Sequence, residues 1–132
     1  MFSHINWIAV AVASLATFLV GGPWYSPALF GRRWGIAMGP TPMKRGHPAR
    51  VFGLAYIFSL VAATFLATLL PAEATWLDGL RLGGLVGLCF VATSFGVNYQ
   101  FANRPMDALL IDGGYHVVQF ALFGAVLGAW HN

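Results

Sequence analysis

Four apolar stretches, each about as long as a bilayer is thick, most constrain what this 132-residue chain can fold into. They run roughly over residues 5–20, 51–70, 82–101 and 108–130. About 20 apolar residues at the helical rise span a hydrocarbon core of roughly 30 Å. In that medium only helices or a closed barrel satisfy the backbone hydrogen bonds. The sequence therefore predicts an all-α integral membrane protein, a four-helix bundle.

The composition argues against a soluble bundle with a large core. The chain is 58% apolar and 8% charged, whereas soluble domains average about 25% charged residues. A soluble bundle would also carry a polar face on every helix, and residues 51–70 contain no charged side chain. We expect one domain over residues 1–132, with helices at about 5–22, 50–70, 80–101 and 106–130 and a long loop at 23–49.

The basic residues lie on one side of the predicted membrane. Six of them fall between the first and second or the third and fourth apolar stretches: Arg32, Arg33, Lys44, Arg45, Arg50 and Arg104. Arg81 alone lies on the opposite side. This positive-inside bias predicts a multi-pass protein of the inner membrane with the 23–49 loop in the cytoplasm and both termini outside. Topology alone accounts for the charges, and seven basic residues are too few to suggest nucleic acid as a partner.

An aromatic and basic segment follows the first helix. Gly21-Gly22-Pro23 predicts the helix end, because proline disfavours a helical conformation at the residue before it. Trp24, Tyr25 and Trp34 are residue types that favour the headgroup level, and Pro27 marks a turn among them. We expect this segment to lie in the cytoplasmic interface. Four basic residues in or near it are candidates for contact with anionic lipid headgroups: Arg32, Arg33, Lys44 and Arg45.

The fourth stretch carries Asp112, Tyr115, His116 and Gln119 at positions i, i+3, i+4 and i+7, which share one helix face. A carboxylate facing lipid at the bilayer centre costs at least about 2.5–3.5 kcal/mol, so the stripe should face protein or water. Asn98 of the third stretch should lie at the depth of Asp112. Asp112 and His116 together can hold one proton. The alternative is a purely structural set of interhelical hydrogen bonds.

Small residues recur at four-residue spacing and predict close helix packing, since lipid provides no hydrophobic force between helices. They are Gly79, Gly83 and Gly87, then Ser59, Ala63 and Ala67, and finally Gly124 and Gly128. Whether they act within one chain or between chains stays open at this point. The short connection at residues 72–79 predicts that the second and third helices form an antiparallel pair, and the shorter one at residues 103–107 predicts a tight hairpin of the third and fourth. Four helices enclose little interior alone, which favours a homodimer.

Several short elements together resemble a known family. They are Asn6-Trp7, Gly22-Pro23-Trp24-Tyr25-Ser26-Pro27, Phe30-Gly31 with Trp34, Asn98-Tyr99-Gln100-Phe101, Gly114-Tyr115-His116, and Gly124 to Trp130. The chain is similar over nearly its whole length to the small bacterial membrane proteins of domain of unknown function 1761. The resemblance implies a four-helix inner-membrane protein in which Trp24, Tyr25 and Pro27 belong to the core architecture. It implies no catalytic role.

Two function hypotheses from different classes remain. Because no Walker, HExxH, CxxC or GxSxG pattern occurs, we expect a non-enzymatic protein without cofactor or metal. The leading hypothesis is an oligomer that binds or passes a proton or small solute at a polar site between helices three and four. There Asp112 and His116 would exchange the proton, and Asn98, Tyr115 and Gln119 would position the solute. The alternative is an accessory subunit that packs on a larger membrane complex or on lipid.

Overall fold

The computed structural model describes residues 1–40 and 46–130, which form helices and no strand. The helices in chain order are α1 (Trp7–Ser14), α2 (Ala16–Trp24), α3 (Gly31–Met38), α4 (Pro48–Leu69), α5 (Trp76–Val86), α6 (Thr93–Phe101) and α7 (Met106–Ala129). A π-helical segment, Gly87–Ala92, joins α5 to α6 and is called the π segment below.

Within the described part of the chain, four helical stretches are long and apolar enough to cross a membrane. We call them helix one (Trp7–Trp24), helix two (Pro48–Leu69), helix three (Trp76–Phe101) and helix four (Met106–Ala129). This confirms the prediction of an all-α chain with four apolar helices of membrane-spanning length. It follows from the length and composition of the stretches, which are the two properties that hydrocarbon as a solvent constrains most strongly.

The helix bounds differ from the predicted ones by up to four residues, and the predicted loop at 23–49 contains the helix α3. Two of the differences have a clear local cause. Helix one continues through Pro23 to Trp24 instead of ending at residue 22, because the fixed φ of proline is a helical one and its missing N–H removes a single hydrogen bond. Helix three begins at Trp76 instead of residue 80. The reason is a capping box, in which Thr75 and Asp78 each bond the other's backbone N–H and thereby satisfy two otherwise unpaired donors.

Helix four is the centre of the bundle and packs against all three other membrane-spanning helices. The buried core between helices one, two and four is made of small and aliphatic side chains with one phenylalanine: Ala9, Val10, Ala13, Ala16, Ala63, Leu66, Phe123 and Leu127. Helix three packs along helix four on a separate face. The predicted pairing of helices two and three is therefore wrong.

Glycines allow helix three to pack closely on helix four. A Cβ atom added to Gly79 would lie 1.8 Å from the carbonyl oxygen of Gly124, and one added to Gly83 would lie 2.0 Å from that of Phe120. The two backbones thus touch directly, and any side chain at these positions would separate them. The small-residue pattern predicted close packing, and these glycines achieve it within one chain.

Polar contacts fasten α3 to the start of helix four. The Arg33 Nε atom donates to Asp107 Oδ2 at 3.0 Å, and the Arg104 Nη1 atom donates to the carbonyl of Met38 at 2.7 Å. We call this side of the bundle the basic end, since it carries Arg32, Arg33, Arg50 and Arg104. The opposite side, where Asn6 donates to the carbonyl of Trp130, is the terminal end. The predicted headgroup residues Lys44 and Arg45 lie outside the described residues.

Candidate functional site

A buried carboxylate joins three helices near the basic end. Asp112, in the second turn of helix four, is 6% exposed. Its Oδ1 atom accepts a hydrogen bond of 2.5 Å from the hydroxyl of Tyr25, directly after helix one. Its Oδ2 atom accepts from the hydroxyl of Tyr99, in helix three. Both carboxylate oxygens are therefore bound by neutral donors from two other parts of the fold.

The residue before Tyr25 makes a parallel contact. The indole Nε1 of Trp24 donates to the carbonyl oxygen of Ile111 at 2.9 Å, so two consecutive residues of the helix-one end bind two consecutive residues of helix four. Gly114 permits this approach, since a Cβ atom there would lie 3.1 Å from the Trp24 ring. Trp24 and Tyr25, predicted to be interfacial aromatics, thus also bind helix four.

The turn after Tyr25 holds its position from the other side. The Tyr25 ring meets the Trp34 ring edge-on at 5.6 Å, which packs α3 against the site. Gly31 begins α3 at a point where a Cβ atom would lie 2.1 Å from the carbonyl oxygen of Tyr25. Only glycine fits that close approach. Pro27 lies in this turn and is exposed, away from the carboxylate.

A second polar cluster lies deeper along helix four. His116 Nδ1 is 2.6 Å from Gln119 Oε1, and Gln119 Nε2 donates to Thr17 Oγ1 at 2.8 Å. Thr17 Oγ1 is 2.5 Å from Ser59 Oγ, which donates to the carbonyl of Ala55 at 2.8 Å. Because the single hydroxyl hydrogen of Ser59 is used on that carbonyl, Thr17 is the donor to Ser59. The hydrogen bonds therefore run in one direction and end on a backbone carbonyl.

The same reasoning fixes the state of His116. An amide oxygen only accepts, so Nδ1 of His116 carries the hydrogen that Gln119 Oε1 receives. The imidazole stacks on the Phe95 ring at 4.8 Å and meets the Tyr115 ring edge-on at 4.8 Å. Tyr115 in turn donates to the carbonyl of Thr17 at 2.7 Å. Side-chain hydrogen bonds thus join helix four to helix one directly and to helix two through Thr17. Ring stacking adds to the Tyr99 contact with helix three.

The structure separates two residues that the sequence predicted to act as a pair. Asp112 and His116 lie one turn apart on helix four, yet no hydrogen bond joins them in the described part of the chain. Asp112 is bound by Tyr25 and Tyr99, which reach it from neighbouring elements, and His116 is bound by Gln119. The two side chains are therefore not placed to share a proton directly, as the sequence predicted.

Asn98, predicted to lie at the depth of Asp112 and to line the polar site, is exposed, and the next residue, Tyr99, binds Asp112 instead. The cause is the π segment, since a π-helical turn holds more residues than an α-helical turn and so rotates everything after it. The carbonyls of Cys89 and Phe90 in this segment accept hydrogen bonds from Thr93, and the Phe90 carbonyl also accepts one from Ser94.

A profile of the family described as "Protein of unknown function (DUF1761)" matches residues 8–128 of this chain. The chain belongs to the DUF1761 family. This confirms the resemblance seen in the sequence, and the match spans the residues of both polar clusters. Neither a protein of curated function nor a solved structure matches the chain.

In this DUF1761 protein the surroundings of Tyr25 keep its hydroxyl protonated. Burial, followed by the hydrogen bond to Asp112, raises the pKa of Tyr25 well above its ordinary value. Tyr25 therefore acts as a hydroxyl donor at any physiological pH. Among the described residues no arginine, lysine or histidine makes a hydrogen bond or ion pair with Asp112, and no three His, Cys, Asp or Glu side chains form a group that could hold a metal.

The sequence did not reveal which residues bind the polar side chains of helix four. Tyr99 was passed over because an uninterrupted helix would present Asn98 instead. Thr17 and Ser59 were missed because single hydroxyl residues in apolar helices give little signal. Phe95 looked like any other lipid-facing aromatic. A π segment itself has no simple sequence signature, although the hydroxyls of Thr93 and Ser94 just after it are a usable hint.

Proposed function

We propose that this protein binds a proton at Asp112 and that the proton changes how the end of helix one is held. The observation that supports the proposal is the binding of both oxygens of a buried carboxylate by tyrosine hydroxyls from two different helical elements. Ionisable side chains inside membrane helices are costly and are functional candidates by default. The function that we propose is binding and not catalysis.

The coupling follows from hydrogen-bond chemistry. An ionised carboxylate only accepts, and both tyrosines donate to it; a protonated carboxyl group carries a hydrogen on one oxygen. The tyrosine that faces this hydrogen must turn its hydroxyl to accept it or lose the bond, and the other tyrosine now donates to a neutral group instead of a charged one. Protonation therefore weakens a contact between Asp112 and either the helix-one end or helix three. The groups facing Asp112 are these two tyrosines, with Tyr115 and His116 nearby on its own helix.

In this proposal the protein binds a proton but does not pass a solute across the membrane. Asp112, Tyr115 and Gln119 are each at most 7% exposed. The polar face of helix four therefore has no open channel along which a solute could move. The deeper hydrogen bonds end on the carbonyl of Ala55, which has no proton to hand on. A relay through this cluster would stop there.

Infrared spectroscopy of proteoliposomes tests the proposal. We expect the wild-type protein to show a carboxyl band that appears on acidification and that is absent in Asp112→Asn. An Asp107→Asn variant is the control, because it removes an exposed carboxylate close to Asp112 in sequence. Identical titrations of the wild type and Asp112→Asn would contradict the proposal. A proton flux that Asp112→Asn abolishes would contradict the restriction to binding.

The membrane and its sidedness are part of the proposal. Four spans of membrane-crossing length and four arginines at the basic end support an inner-membrane protein with that end in the cytoplasm. Both termini would then lie outside. In a bilayer, the buried Asp112 lies nearer the cytoplasmic surface than the outer one.

Exposed apolar surface on two helices supports a second candidate function, that of an accessory subunit. Helices two and three each expose a long apolar face, with Phe58 70% and Phe90 70% exposed. These faces support an accessory subunit that packs on a second copy or a larger membrane complex. Recovery of the native complex in a mild detergent tests this. A co-purifying partner or a dimer would support it, and a monomer surrounded only by lipid would contradict it.

A further inference from the structure

A cavity of about 340 Å³ lies at the basic end, apart from the Asp112 carboxylate. Its lining consists of two aromatic rings, an ion pair and one face of helix four: Trp24, Phe30, Arg33, Asp107, Leu110, Ile111 and Gly114. The Trp24 and Phe30 rings lie 4.9 Å apart. Leu110 is 65% exposed, so the cavity opens sideways towards the bilayer.

The ion pair at the cavity keeps unused hydrogen-bonding groups. Arg33 uses only Nε and Asp107 uses only Oδ2 for their 3.0 Å contact. No other described residue bonds the two Nη atoms of Arg33 or the Oδ1 atom of Asp107, and the side chains are 69% and 48% exposed. A positive donor and a negative acceptor therefore stand side by side where the apolar cavity meets the headgroup level.

We propose that this cavity binds one phospholipid with a zwitterionic headgroup that carries a primary ammonium, such as phosphatidylethanolamine. The phosphate would accept hydrogen bonds from Arg33, and the ammonium would donate to Asp107. Part of an acyl chain would pack against Trp24, Phe30 and Leu110. Arginine suits the phosphate because its guanidinium presents several donors in one plane.

Charge complementarity separates this occupant from related lipids. An anionic headgroup such as phosphatidylglycerol has no cation for Asp107 and would place its negative charge beside that carboxylate. A choline headgroup has a cation but no N–H to donate. Since contacts between exposed charges contribute little, we expect a preference for the ethanolamine lipid of about two- to fivefold.

Native mass spectrometry tests the proposal. The full chain is reconstituted into bilayers with equal amounts of ethanolamine, glycerol and choline phospholipids of identical acyl chains, then released in mild detergent. We expect one ethanolamine lipid to be retained about two- to fivefold more often than either of the others. Equal retention, or more of the glycerol lipid, would overturn the proposal.

Variants locate the site. Leu110→Trp fills the cavity from its open side and should remove the retained lipid, whereas Val118→Trp adds the same ring at an exposed position on helix four outside the cavity and should not. Asp107→Asn should abolish the ethanolamine preference. Arg81→Gln, at the opposite end of the bundle, should leave it unchanged. Retention that is unaltered in both Leu110→Trp and Asp107→Asn would overturn the assignment to this cavity.

Discussion

The Tyr25 hydroxyl lies 2.5 Å from the Oδ1 atom of Asp112, although 87 residues separate the two in sequence. This bond ties the end of helix one to helix four. Tyr99 completes the arrangement from helix three, so three helical elements meet at a single carboxylate. A change in the charge of that carboxylate therefore alters contacts with both helix one and helix three at the basic end.

Replacing Tyr25 with phenylalanine should lower the free energy of unfolding by about 1.5–3 kcal/mol, the usual contribution of a hydrogen bond to a charged group. Thermal unfolding in detergent measures the change. Tyr56→Phe is the matched control, since the Tyr56 hydroxyl donates to the neutral carbonyl of Ala11 and should cost only about 0.5–1.5 kcal/mol. Equal losses in the two variants would argue against a special contact at Asp112.

Alkaline pH should destabilise the protein partly through Tyr25. Its pKa is raised in the folded state from an ordinary value of 10.0, so the folded state holds this proton more tightly than the unfolded state. The resulting stability is fully present below about pH 10 and is lost as the pH rises further. Unfolding measured between pH 8 and 11, as a rough range, should show a steeper decline for the wild type than for Tyr25→Phe. Parallel declines would show that Tyr25 does not contribute.

Gly79→Ala should separate helices three and four. Its Cβ atom would lie 1.8 Å from the carbonyl oxygen of Gly124, and backbone atoms cannot move aside as a flexible side chain can. We expect a loss of at least about 1–3 kcal/mol from overpacking, measured by thermal unfolding. Gly84→Ala is the control, because its Cβ atom would lie 3.8 Å from Ala121 Cβ. Both substitutions improve helix propensity equally, so a similar stability in both variants would refute the backbone contact.

Deleting Cys89 should leave the site intact. This exposed residue lies in the π segment, and removing one residue there should convert the segment to ordinary α-helix while Tyr99 keeps its place. Deleting Val97, which lies beyond the segment, should instead rotate Tyr99 away from Asp112. We expect the first variant to unfold close to the wild-type temperature and the second well below it. The reverse order would contradict this role of the π segment.

Cysteine labelling tests the sidedness. In a Cys89→Ala background, Ser3→Cys and Ala102→Cys each place a thiol at an exposed position, on the terminal end and the basic end respectively. A membrane-impermeant maleimide should label Ser3→Cys in spheroplasts, and Ala102→Cys only after the membrane is opened. Labelling in the opposite order would place the termini in the cytoplasm.

The helices could be predicted from sequence, but their partners only in part: helix three packs on helix four as its short connection predicts, and does not pair with helix two. Stretch length and apolar composition determine how many spans exist, because hydrocarbon leaves few alternatives. Small residues appear on helices two, three and four alike, and nothing in the sequence says which backbones meet. The contact of Gly79 with Gly124 is a property of the three-dimensional packing, which the spacing alone does not encode.

The candidate site was predicted in part. Helix periodicity placed Asp112 and Gln119 on one inward stripe, and both are buried. Their partners were predicted wrongly or not at all. Tyr25 looked like an interfacial aromatic by its position after helix one, and the π segment put Tyr99 where regular α-helix geometry would put Asn98. Periodicity finds which face turns inward, but it assumes that the helix is uninterrupted.

The central position of helix four has a consequence for how the protein is made. Helices one to three are synthesised before helix four, against which each of them packs. Until helix four emerges, Thr17 and Ser59 lack the amide of Gln119 and the glycines of helix three have no backbone to meet. Helices one and two can already pack on each other at that stage, whereas helix three gains its main packing partner only when helix four is made.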